Sequence, residues 1–313
     1  MHTKQASTSK NKQHKDLSCY KGKTMNFVIG NYASATQTEP MYIDATLKAI
    51  GCKSAIWNPT KISAYDIFDM VKPDYHLTHI TAIMTDVVSY IKENGGVELI
   101  INISGANQDV VTNTERLLKE RNVPIAFLFT NSDDCSIESE ARLIKIGFGA
   151  DLFLSKGNIP YNLDLGQIVF SKEHIKSFDC PYHTISYVKS LENDVDILLP
   201  VNQLSNIYHN YDRLVFRSFG AIIPQCLYDA IYYGKHVSYD IDDEDTRKVV
   251  SEKIKKIFRT DMDICDPNNV DSVELRKQLL DRHTCFHRVK SILSQLPSSE
   301  YLSKIDQLIG EVK

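Results

Sequence analysis

Apolar, strand-like runs alternate with stretches of helical period through the first half of this chain, and that alternation admits few folds. NFVIGNY from Asn26, VELIINIS from Val97 and VPIAFLFT from Val123 have the near-continuous apolar character of buried parallel strands, and KSAIWN from Lys53 and DYHLTH from Asp74 read as strands between them. Between them the spacing predicts helices over about Pro40 to Ile50, ended by Gly51, over SAYDIFDMV with Ser63 as its cap, over about Thr85 to Glu93 and over Val110 to Arg121. Strand, helix and strand in repeated succession predict an α/β fold with a doubly wound parallel sheet.

The second half is less regular. HTISYVKS, VDILLP and RLVFRS read as strands, with a short helix over Gln203 to Tyr208. PQCLYDAIYYG from Pro224 reads as a helix stopped by Gly234, followed by the strand KHVSYD. Beyond it come an acidic stretch leading into a helix, a short strand at ICDP, and two closing helices from about Asp271 to Gln295 and Pro297 to Ile309. The expected organisation is a basic, disordered tail over residues 1–24, a Rossmann-like domain over 25–180 and a second over 181–313, with the boundary near Asp179–Cys180–Pro181.

Charge and cysteine usage exclude several classes. The net charge of −4 argues against a protein that coats nucleic acid. The seven cysteines are scattered with no CxxC, which suits free thiols in a reducing compartment, so a cytoplasmic protein is expected. No apolar run is long enough to span a membrane. No GxGxxG follows the first strand, which disfavours a classical NAD enzyme. The run DIDDEDT, Asp240 to Thr246, holds five carboxylates but lacks the glycine and spacing of an EF-hand loop, and reads as a solvated acidic loop.

Two C-terminal segments carry a resemblance. PQCLYDAIYYG resembles the donor-binding helix of GT-B glycosyltransferases, whose pattern is P-S-R-x-[FY]-E-A-x-x-x-G. DRHTCFHRVKSIL, from Asp281, resembles the H-T-x-x-H-R segment that closes the CgeB-like branch of those enzymes, and supplies His283, Thr284, His287 and Arg288. The two histidines are four apart, which predicts a shared helix face. VPIAFLFTNSDD resembles the strand before the acidic position in CgeB-like proteins and, less closely, the strand before the catalytic aspartate of T-even phage DNA β-glucosyltransferase. The resemblance implies a GT-B-like fold of two Rossmann-like domains with parallel sheets facing a cleft. It also implies a metal-independent hexosyl- or pentosyltransferase that uses a nucleotide-sugar donor, a UDP-sugar first among them, with no tightly bound cofactor.

On that resemblance Asp229 takes the place of the acidic residue that accepts hydrogen bonds from the donor ribose, and Pro224, Gln225, Cys226 and Tyr228 belong to the same donor-binding turn. Cys226 stands where the family often has arginine, a residue able to grip a diphosphate with planar, charge-assisted bonds. Arg213 and Arg217, just upstream, are the candidates to supply that charge. An inverting transfer also needs a base. Asp133 and Asp134 follow a buried strand at its carboxyl end, where open α/β sheets place ligands, and also suit a turn or helix cap. His79 ends another strand and titrates near neutrality. Glu39 would orient an acceptor or simply favour the start of the first helix. The acceptor itself is unspecified among glycan, protein and modified nucleic-acid base. The alternative reading is a non-catalytic nucleotide- or sugar-binding protein on the same scaffold.

Overall fold

The computed structural model describes residues 24–32, 38–132, 135–153, 223, 225–239, 241, 243–263 and 271–313, together with the strands at 167–170, 185–187, 197–200 and 213–217. Its centre is a six-stranded parallel sheet built from β1 (Asn26–Gly30), β2 (Lys53–Trp57), β3 (Tyr75–His79), β4 (Glu98–Asn102), β5 (Ile125–Thr130) and β6 (Leu143–Lys145). The strand order is β2-β1-β3-β4-β5-β6. The chain is thus an α/β protein of the doubly wound kind, with the order reversing between β1 and β3.

Alternation along each strand divides the interior in two. Phe27 and Ile29 of β1, Tyr75 and Leu77 of β3, and Phe127 and Phe129 of β5 enter one apolar cluster. Val28, Leu99, Ile101 and Leu128 enter the other, beneath α2 (Ala64–Val71), α3 (Thr85–Asn94) and α4 (Gln108–Glu120). Local signals set these helices. Ser63 Oγ accepts from Asp66 N at 3.1 Å to cap α2, and Asn107 Oδ1 accepts from Val110 N at 3.0 Å to cap α4.

The first face is covered by α1 (Glu39–Ala49) and by helices from the far end of the chain. These are α5 (Gln225–Tyr232), α6 (Glu244–Phe258), α7 (Ser272–Arg282), α8 (Cys285–Leu293) and α9 (Ser299–Val312). Leu227, Ile254, Leu279, Val289 and Ile305 join the cluster that holds Phe27 and Phe129, and Met25 N donates to Tyr301 Oη at 3.2 Å. The last helices therefore share one core with the first strand.

In the second half, β10 (Arg213–Arg217) and β11 (His236–Tyr239) lie parallel on either side of α5 in sequence, as a strand–helix–strand unit requires. Gly234, at φ +69°, supplies the left-handed turn that ends the helix. β8 (Ile185–Tyr187) joins β10 antiparallel, and β7 (Gln167–Phe170) pairs antiparallel with β9 (Ile197–Pro200), which adds antiparallel pairs to the parallel pattern expected there. The tail at 1–23, the expected boundary near residue 180, the helix over 203–208 and the strand at ICDP lie outside the described residues. Among the described residues no helix is long and apolar enough to cross a membrane. Cys52, Cys135 and Cys285 are free thiols.

Two expectations need correction. β6 has no counterpart in the sequence reading. The helix expected from Asp271 to Gln295 is two helices, broken at His283–Thr284. The break is fixed from a distance: Ala150 N donates to His283 O at 2.7 Å, and Cys285 N donates to Ala150 O at 2.8 Å. His283 thus ends one helix and His287 lies in the first turn of the next, so they do not share a continuous helix face.

Candidate active site

Three parallel strands deliver their carboxyl ends to one cleft of about 690 Å³, within the usual size range of a small-molecule pocket. Ser104 and Gly105 follow β4, Asn131 and Ser132 follow β5, and Gly147 and Phe148 follow β6. The turn after β4 closes on itself: Ser104 N donates to Asn102 Oδ1 at 2.9 Å and Ala106 N to Ile103 O at 3.0 Å. Gly105 takes φ +80° to complete it. Asn131 N then donates to Ser104 Oγ at 2.8 Å, which ties the second strand end to the first. The result is a floor of fixed backbone and small polar groups where α/β sheets place their ligands.

The opposite wall comes from the C-terminal helices. Tyr228 of α5 lines the cleft, as do Lys253, Lys256 and Arg259 from the end of α6. Arg282, His283, Thr284 and His287 line it from the α7–α8 junction. Gly149 lets that junction approach the sheet. A Cβ there would lie 2.4 Å from Thr284 O and 2.6 Å from its carbonyl carbon, so no side chain fits.

Arg288 of α8 locks wall to floor. It is 2 % exposed and pairs with Glu39 of α1. Its guanidinium donates to the carbonyls of Ile146 and Gly147 and to Asn131 Oδ1, and lies 5.3 and 5.6 Å from the Phe129 and Phe148 ring centroids. Glu39 Oε2 accepts from Asn102 Nδ2 at 2.9 Å and from Tyr32 Oη at 3.2 Å. Burial pushes the guanidinium pKa down to about 9, which leaves it charged at neutral pH. Glu39 serves this pair and not an open cleft.

The histidines are held in defined roles. His283 Nε2–H donates to Ile257 O at 2.9 Å and joins α7 to α6. His287 Nδ1 accepts from Thr284 Oγ1 at 2.8 Å, and desolvation, aided by the nearby His283, pushes its pKa down to about 4. It is a neutral imidazole across the physiological range. His79 Nε2–H donates to Ser104 O at 3.0 Å, so Nδ1 is the acceptor for Thr81 Oγ1 at 2.7 Å. Burial lowers its pKa. With both nitrogens engaged, His79 caps a turn and braces Ser104 in this structure.

The expected donor-binding residues divide. Tyr228 borders the cleft. Asp229, 2 % exposed, is absent from its lining and accepts from Asp151 N at 2.7 Å. Asp151 Oδ2 in turn accepts from Thr38 Oγ1 at 2.7 Å, while Gln225 Oε1 accepts from Thr38 N at 3.1 Å and Gln225 Nε2 donates to Thr38 Oγ1 at 3.0 Å. This buried network fastens α5 to the loop before α1. Desolvation, then repulsion from Asp151, pushes the Asp229 pKa well above its usual value. Asp133, Asp134 and Pro224, and the side chains of Arg213, Arg217 and Cys226, lie outside the described residues.

Sequence reading missed the cations of α6 and Arg282. Their one signal was Lys253, Lys256 and Arg259 recurring at intervals of three, which places them along one side of a helix. Asp151 gave no signal, because its role depends on a partner far away in the chain.

The site defines an α/β protein with a cation-lined cleft beyond the carboxyl ends of a parallel sheet. No family model and no curated protein matches the chain. Solved structures that it matches include spinosyn forosaminyltransferase SpnP, at a TM-score of 0.39 and 9% identity over 93% of this chain and 96% of that one.

Proposed function

We propose that this chain is a glycosyltransferase of the GT-B, CgeB-like kind, moving a sugar from a nucleotide-sugar donor, a UDP-sugar first among candidates, to an acceptor in this cleft. One observation carries the reading. The two segments that carry the resemblance, the donor-binding-like helix and the closing H-T-x-x-H-R-like segment, lie far apart in sequence and border the same cavity: Tyr228 from the first, His283, Thr284 and His287 from the second.

The chemistry fits what lines the cavity. Ser104, Asn131 and Ser132 offer hydrogen-bonding groups suited to sugar hydroxyls. In the transfer, the bond from the anomeric carbon to the diphosphate breaks with its electron pair going to the phosphate oxygen. The acceptor oxygen bonds to that carbon and gives its proton to a base. Asp133 and Asp134 are our choice for the base, since in sequence they fall between Ser132 and Cys135, both of which line the cleft. His79 is the weaker candidate because both its nitrogens are engaged. The protein would act in the cytoplasm, on a glycan, protein or modified nucleic-acid base.

A second reading, nucleotide or sugar binding without transfer, is favoured by one residue: Asp229 bonds to Asp151 in the interior, where it holds no ribose. A panel of nucleotide sugars separates the two. Transfer predicts both a rise in melting temperature with one donor and release of its nucleoside diphosphate, the release lost in Asp133→Asn/Asp134→Asn. A rise without release selects the binding protein, and neither response to any nucleotide sugar refutes both.

A further inference from the structure

We infer that Lys256 and Arg259, at the end of α6, and Arg282, the last residue of α7, form the phosphate-binding wall of the cleft. The inference rests on the nucleotide-sugar reading and says where the diphosphate lies: against α6 and α7, away from the start of α5.

Among the described residues, the cleft lining holds Lys145, Lys253, Lys256, Arg259, Arg282 and Arg288, and no aspartate or glutamate. In a chain of net charge −4 that is a local reversal of sign, and such a concave patch concentrates anions. The cations are not equivalent. Arg288 is consumed by Glu39, Asn131 and two carbonyls, so its charge is already compensated. Lys256, Arg259 and Arg282 are exposed and lie beyond ion-pair distance of any described carboxylate, with Arg282 attracted by the neighbouring Asp281, whose own ion pair is with Lys313.

Their position is built. Arg259 takes φ +47° at the end of α6, where its N–H closes the helix on Lys255 O. His283, next to Arg282, donates to Ile257 O, so one hydrogen bond holds the end of α6 beside the end of α7. The three cations therefore converge from two braced helix ends onto one rim. The uncharged Ser104 and Asn131 line the same cleft. A ligand that carries both a diphosphate and a neutral polyol matches that combination of groups. When the anomeric C–O bond breaks, the negative charge arriving on the leaving phosphate oxygen meets guanidinium and ammonium groups already in place.

Inorganic pyrophosphate is the probe, titrated by calorimetry into the full chain. Wild type should bind it, and Lys256→Ala, Arg259→Ala and Arg282→Ala should each weaken binding by about tenfold, the usual cost of one charge-assisted hydrogen bond. Lys92→Ala, an exposed lysine on α3 away from the cleft, should bind as wild type. A companion measurement needs no variant: pyrophosphate should protect Lys256, and leave Lys92 unprotected, from amine acetylation read by mass spectrometry. Wild-type affinity in the three variants, or unprotected Lys256, overturns the inference. The two claims separate cleanly. Pyrophosphate binding lost in the variants without turnover of any nucleotide sugar keeps the anion wall and removes the transferase reading. Full turnover in the variants removes the wall and keeps the transferase.

Discussion

Glu39 and Arg288 meet in the interior with neither side chain exposed, joining the first helix to the eighth directly beneath the ligand cleft. The pair also explains why the end of the chain belongs to the core of its beginning. Arg288 reaches carbonyls after β6 and the amide after β5, so the cleft floor is held from the C-terminal side.

Removing one partner leaves the other buried without compensation, which costs about 3–5 kcal/mol. Arg288→Met should lower stability by that amount in urea unfolding. The double variant Glu39→Gln/Arg288→Met should be more stable than the sum of the two single losses predicts. Additive losses would show that the two side chains are not coupled.

Gly149→Ala tests the approach of the α7–α8 junction to the sheet. The added methyl meets the Thr284 carbonyl, and backbone cannot swing away as a side chain can. The expected loss is about 1–3 kcal/mol, the usual cost of overpacking, measured by the same unfolding titration. Ala at Gly147, where a Cβ meets nothing within 4 Å, should be tolerated.

Two groups give opposite pH dependence. The Asp229 pKa is raised in the folded state, so the unfolded chain ionises first, and stability is lost as pH climbs above the ordinary value of 3.8. Asp229→Asn can still accept from Asp151 N. Its stability relative to wild type should therefore improve as pH rises from about 4 to 8. A difference independent of pH would contradict a desolvated carboxyl.

His287 and His76 act at the acid end. Burial holds both at about 4, below the ordinary 6.5, so the unfolded chain takes up protons first as pH falls. They withdraw stability between pH 6.5 and about 4. Their imidazole nitrogens should show no titration above about pH 5 in ¹⁵N spectra; a midpoint near 6.5 for either would mean that it is solvated.

How much of this was legible in the sequence depends on the range of the forces involved. The strands β1, β3, β4 and β5 lie inside the sheet and are largely buried, and their apolar residues, with those of the edge strand β2, announce them; Ser63 marks the start of α2 through a bond made three residues away. β6 is three residues long at a sheet edge, too short for any period to register. The break at His283–Thr284 is invisible because the local spacing from Asp281 to Leu293 is helical, and the bonds that stop it come from Ala150. Asp229 stands out in the sequence as a carboxylate among apolar neighbours, but reads there as a ribose ligand, because its partner Asp151 lies far away in the chain. The cations of α6 and Arg282 were missed for the same reason: α6 and α7 are brought together by packing and by the bond from His283 to Ile257 O.

The most direct test of the account is release of nucleoside diphosphate from a panel of nucleotide sugars, wild type against Ser136→Trp, which fills the cleft from an exposed lining position. The account predicts release from at least one donor by wild type, and its loss in the filled variant at unchanged melting temperature. Release that survives Ser136→Trp would place the chemistry elsewhere, and no release from any donor would contradict glycosyl transfer.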